Sequence, residues 1–86
     1  MHIIELKDGG ASLEFSSSES SAISQALDRL RAKRTERGVM HDVYTVGKDH
    51  LIYYSEWDDP CLIAKTSTGS KILRQMFAEL SQSKAA

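Results

Sequence analysis

The chain has one cysteine, one proline, five glycines and no apolar run longer than four residues among its 86. A lone Cys61 rules out an intramolecular disulfide and a disulfide-stapled mini-protein, and it suits a reducing compartment. Apolar runs this short rule out a membrane-spanning helix, which needs about 20 such residues. The opening Met1-His2-Ile3-Ile4-Glu5-Leu6-Lys7-Asp8 has no basic segment followed by an apolar one. No signal peptide is therefore expected, and the expected location is cytoplasmic. Charge excess is missing too: 11 Lys and Arg face 12 Asp and Glu, a net charge of -1. The whole chain is neither a basic nucleic-acid arm nor an acidic tail.

What is present describes an ordinary globular chain. Hydrophobic residues make up 41% and charged residues 27%, which excludes disorder throughout, a collagenous rod and a coiled coil. The length fits one small domain over residues 1–86, burying about 60–65% of its unfolded surface.

Two alternating runs, Ile4 to Leu6 and Leu13 to Phe15, flank Lys7-Asp8-Gly9-Gly10, and Asp-Gly between such runs predicts a hairpin. The serine run that follows offers helix caps, and Ser16 with Glu19 has capping-box spacing. Ala22, Ile23, Ala26, Leu27 and Leu30 recur at helical spacing, so a helix is expected from about Ser18 to Arg37, stopped by Gly38. Strands are expected over Val39–Val46, Leu51–Trp57 and Cys61–Lys65, joined by turns at Gly47-Lys48-Asp49-His50 and Asp58-Asp59-Pro60. A last helix carries Ile72, Leu73, Met76, Phe77 and Leu80, with a tail from Ser81 to Ala86 expected to fray. The order β-β-α-β-β-β-α predicts an α+β fold, a mostly antiparallel sheet with both helices on one face. Leu27, Leu30, Ile72, Met76 and Phe77 should be core.

Chemistry is thinly represented. His2, His41 and His50 match no metal spacing, and Cys61 has no CxxC or CxxxH partner. Glu56, Asp58 and Asp59 lack the alternation and glycine of a calcium loop. Thr68-Gly69-Ser70-Lys71 lacks the upstream glycine of a phosphate loop and reads as a helix cap. No catalytic residue, metal or cofactor is expected, and the chain is expected not to be an enzyme.

Charge segregation is the remaining signal. Arg29, Arg31, Lys33, Arg34 and Arg37 stand against Glu36 alone, whereas Asp42, Asp49, Glu56, Asp58 and Asp59 stand against Lys48 alone. On the expected helix, Arg29, Lys33 and Arg37 form a basic ridge on one flank of the apolar stripe, with Lys71 and Arg74 as further cations for an anion or nucleic acid. Trp57, between Glu56 and Asp58-Asp59, is a candidate aromatic anchor inside an acidic rim.

From the first helix onward, the order α-β-β-β-α over about residues 20–83 resembles a double-stranded-RNA-binding domain. Gly47-Lys48-Asp49-His50 stands after the first strand, and Gly69-Ser70-Lys71 opens the last helix, as in that family. Lys71 is followed by Ile72-Leu73-Arg74 where the family continues with further lysines. The resemblance therefore implies a variant of that fold that binds protein. The leading expectation is a small non-catalytic module for protein binding, inhibitor-like or homodimeric, acting through Glu56, Trp57, Asp58 and Asp59. The alternative is a nucleic-acid binder acting through Arg29, Lys33, Arg37, Lys71 and Arg74.

Overall fold

The first hairpin forms where Asp-Gly predicts it. In the computed structural model, which describes residues 1–55 and 60–85, β1 (His2–Glu5) pairs antiparallel with β2 (Ala11–Glu14). Asp8 and Gly9 both take positive φ, 62° and 83°, and the Gly10 amide donates to the Lys7 carbonyl at 3.3 Å. That is the mirror-image turn whose twist matches the two strands. The serine run then caps as expected. The Ser16 amide donates to Glu19 Oε1 at 3.0 Å, closing a capping box before one tight turn at Ser17–Glu19.

Helix α1 runs Ser20–Arg29 and buries Ile23, Ala26 and Leu27. Here the expectation of a helix to Arg37 fails, for a local reason. Arg31 adopts φ 57°, its amide donates to the Asp28 carbonyl at 3.0 Å, and the Ala32 amide donates to Leu27 at 3.0 Å. These two bonds make a Schellman termination, with arginine in the left-handed position that glycine usually fills. The apolar stripe ends at Leu30, so a longer helix would bury nothing more. Lys33–Arg37 instead forms β3 against β4 (His41–Val46). Gly38 serves the hairpin turn between them, its amide donating to the His41 carbonyl at 2.6 Å. A Cβ there would stand 2.7 Å from that carbonyl oxygen.

Gly47, at φ 61°, turns β4 into β5 (Asp49–Tyr54); β6 (Cys61–Ala64) and α2 (Ser67–Ala85) follow. The fold is α+β as expected, with β3 as an additional strand. Among the described residues four strands thus separate the helices, where the RNA-binding resemblance implies three. The helix α2 also takes in residues expected to fray. All six strands make one antiparallel sheet in the order β1-β2-β6-β5-β4-β3.

Strand alternation divides the sheet into two faces. Ala11, Leu13, Leu51, Leu62 and Ala64 point to the helices and join Phe15, Ile23, Ala26, Leu27, Leu73, Met76 and Leu80 in the core. Of the expected core residues, Leu27 and Met76 are buried; Leu30, Ile72 and Phe77 are half-buried against it. The helix α2 packs over β1, β2, β6 and β5, while all five residues of β3 are exposed.

Candidate functional site

The face turned away from the helices is built by the residues between the core positions. Register aligns Ile4, Ser12, Ile63, Ile52 and Val43 in one row across five strands, ending on Glu36 of β3. Ile63, Ile52 and Val43 are half-buried, Ile4 is 39% exposed, and none of the four belongs to the core or packs on it. A second row holds His2, Glu14, Cys61, Tyr54 and His41. On the other side of the isoleucines, Lys33, Thr45 and His50 form a third row, and the exposed Lys65 follows the last residue of β6, two positions after Ile63. Beyond the second row, the β3–β4 turn presents Val39 fully exposed and Met40 half-exposed.

An antiparallel sheet with one wet face normally alternates apolar and polar residues. Here Leu51-Ile52-Tyr53-Tyr54 and Cys61-Leu62-Ile63-Ala64 are apolar on both sides. This surface was missed by reasoning from charge, although those two unbroken runs are its signal.

Polar partners on the face tie side chains to their neighbours. His2 Nε2 lies 3.1 Å from Glu14 Oε1, His50 Nδ1 3.2 Å from Thr45 Oγ1, and Thr45 Oγ1 3.1 Å from Thr35 Oγ1. The His41 ring tilts against Tyr54 at 5.9 Å. The three histidines sit on three different strands and do not converge. No cluster of metal-ligating side chains occurs among the described residues, and none of the described helices is long and apolar enough to cross a membrane.

The expected basic ridge is dispersed. Arg29 ends α1, and β3 carries the other two on opposite faces. A bulge between Arg34 and Glu36 shifts register, so Lys33 pairs with Thr45 on the open face and Arg37 with Asp42 on the helix side. On a helix these residues would have shared a flank. Arg34 Nη1 also reaches Asp42 Oδ2 at 3.8 Å, so Asp42 stands between two arginines. On the helix side, burial first, then Tyr44 and Asp42, push the Tyr53 phenol up.

Arg74 is committed at the opposite edge of the sheet. Its Nη2 donates to both carboxylate oxygens of Glu5 at 2.6 Å. This bond holds the Glu5 carboxyl below its ordinary range and raises the guanidinium. With six strands at ~4.8 Å spacing, β1 and β3 lie about 24 Å apart. Arg74 and the β3 cations therefore cannot act as one patch, and Lys71 is exposed on α2.

The α2 N-terminus already holds an anion. Asp49 Oδ1 accepts from Thr68 Oγ1 at 2.5 Å and from Thr66 Oγ1 at 3.2 Å, while Thr66 Oγ1 accepts the Gly69 amide at 3.0 Å. Thr66 is thus the cap, Gly69-Ser70-Lys71 belongs to the first turns of α2, and the Asp49 carboxylate is held by the two threonine hydroxyls beside them. A cavity of about 200 Å³ beside Met1, His2, Glu14, Phe15, Ser16 and Glu19 contains the Glu19 carboxylate, engaged by Ser16 and, at 3.3 Å, by the Met1 ammonium. The expected anchor group Glu56, Trp57, Asp58 and Asp59 lies outside the described residues. Its flanks are described: Tyr54 and Cys61 pair directly on the open face, and the Ser55 amide donates to the Met40 carbonyl at 3.0 Å.

Comparison with known protein families, curated proteins and solved structures finds no match, so the site is read from its own geometry.

Proposed function

We propose that this chain is a small binding protein, with no catalysis of its own, that meets another protein through the helix-free face of its sheet. The observation that carries this reading is the row Ile4, Ile63, Ile52 and Val43, lying on strands apolar on both sides while both helices cover only one. Apolar side chains grouped on an accessible face and rimmed by polar ones are the usual makeup of a protein contact. Tyr54 and Cys61, which pair on that face, stand on either side of the acidic segment Glu56-Trp57-Asp58-Asp59 in the sequence.

Nucleic acid fits less well. Shape-reading of a duplex needs a set of free cations converging on phosphates. Arg74 is bound to Glu5, Arg34 and Arg37 flank Asp42, and the threonines at the start of α2 hold Asp49. A reducing cytosol remains the proposed setting, on the strength of the single Cys61.

A photo-crosslinking residue placed at Thr45, on the open face, and separately at Gln75, exposed on α2, tests the surface. In lysate, adducts to discrete proteins are expected from Thr45 and not from Gln75. Equal labelling from both positions, or labelling from Gln75 alone, refutes the reading.

A further inference from the structure

We infer that the partner for the open face is a second copy of this chain, docked face to face about a two-fold axis that lies in the interface and runs across the strands. The inference rests on the proposed binding face and deepens it. Its basis is the order of the three rows, which is self-complementary under that rotation and no other in-plane one.

The central row is apolar. One flanking row carries Lys33 and His50, and the alternation of β6 carried one residue past its end sets the exposed Lys65 beside them; the other carries Glu14, with His2 and His41 at its ends. Rotation about an axis parallel to the rows exchanges the flanks and keeps each strand opposite its own copy. The isoleucines then meet isoleucines. Lys65 of one protomer comes over the β6 position of the other's second row, next to Glu14 on the adjoining β2. Symmetry makes that contact twice. A two-fold axis along the strands would instead lay Lys65 over the partner's lysine row and Glu14 over its own. Stacked sheets stand about 10 Å apart, which extended lysine and glutamate side chains span. Glu14 is free to accept a second cation, since its side chain is 40% exposed while it pairs with His2.

The face measures about 24 Å across six strands and about 17 Å along them, roughly 400 Å² per protomer in projection. Doubled over the two protomers this is about 800 Å², below the range of stable interfaces, so the dimer is a weak, reversible one, with a dissociation constant on the order of 100 μM. Glu36 on β3, which would meet its own copy at the margin of the apolar row, keeps it from being tighter.

Sedimentation velocity from about 10 μM to about 1 mM is the test, with amide resonances followed over the same dilution. Monomer should convert to dimer, and the resonances that move should be those of the open face, Thr45, Ile52 and Ile63 among them, not those of α2. Lys65→Glu and Glu14→Lys, both surface changes that leave the core untouched, should each raise the dissociation constant about tenfold. The double variant should return it to within about threefold of the parent. A chain that remains monomeric near 1 mM, or a dimer whose double variant is no better than the singles, overturns the inference. If such a monomer still gives Thr45 adducts with other proteins, the second-copy inference falls alone and the binding face stands. If it gives none, both fall.

Discussion

The two ends of this sheet are fastened in different ways. Beneath α2, β2 and β6 contribute Ala11, Leu13, Leu62 and Ala64, all with no accessible surface, and the outer strand β1 is strapped to the helix by the two-pronged Glu5–Arg74 bond. At the far end, β3 is wholly exposed and β4 half-buried, held by the backbone ladder and by Arg34 leaning on Asp42. One end is a folding core; the other is a hairpin wing. The difference teaches where the molecule can spare surface for a partner. The open face crosses both regions, backed by the fully buried residues of β2 and β6 at one end and by the half-buried β4 at the other.

The largest effect that can break this comparison is at Leu62. Truncation to alanine removes a fully buried side chain beneath α2 and should cost about 2–5 kcal/mol, a large share of a small domain's stability. Val43→Ala, on the open face of the wing, should cost less than about 1 kcal/mol. Denaturant melts of the two variants decide it; similar losses would mean that the wing is as much core as the helix-covered end.

How much of this was legible in the sequence depends on whether the signal was local. The Asp8-Gly9 hairpin, the Ser16–Glu19 capping box and the apolar stripes of both helices are local patterns, and all appear where expected. The α1 terminus is not that kind of signal. Nothing in Arg31 announces a left-handed residue, and Lys33–Arg37 has the composition of a solvated helix face. Pairing with β4 decided its conformation, as tertiary contacts routinely override propensity. The candidate site followed the same division. Helical spacing gathered Arg29, Lys33 and Arg37 on paper, and one bulge scattered them. The open face was missed because each isoleucine reads as core until the register shows which side the helices occupy.

Ser70 sharpens the contrast from the covered end. Its hydroxyl, fully buried, donates toward the Gly9 carbonyl at 2.7 Å and lies 2.8 Å from that of Thr66, tying the first hairpin turn to the start of α2. Ser70→Ala removes the shared donor and should cost about 1–2 kcal/mol, read in the same melts. A neutral result would show that the turn is held by packing alone.

Arg31 tests the hinge between the two regions, where α1 hands over to the wing. A non-glycine residue at φ 57° is strained, and glycine relieves that strain at some cost in unfolded-chain entropy. Arg31→Gly should stabilise by about 1 kcal/mol, raising the melting midpoint by about 4–8 °C. No change, or a loss, would show that the arginine side chain supports the junction in a way its backbone does not reveal.

The smallest effect concerns the strap at the first edge. The hydrogen bond from Arg74 holds the Glu5 carboxyl below its ordinary value. The folded protein therefore binds that proton less readily than the unfolded chain does. Any stability from the strap is complete above the unfolded carboxylate pKa of about 4.3 and disappears as pH falls through the lower folded value. Both side chains are open to solvent, so the contribution is screened and small. Glu5→Gln should lose slightly in melting midpoint near pH 7 and converge with the parent toward pH 3. Since Arg34→Ala on the wing breaks a longer and less regular contact, it should move the midpoint less than Glu5→Gln does at pH 7. Equal shifts from the two would erase the distinction between a strapped edge and a free one.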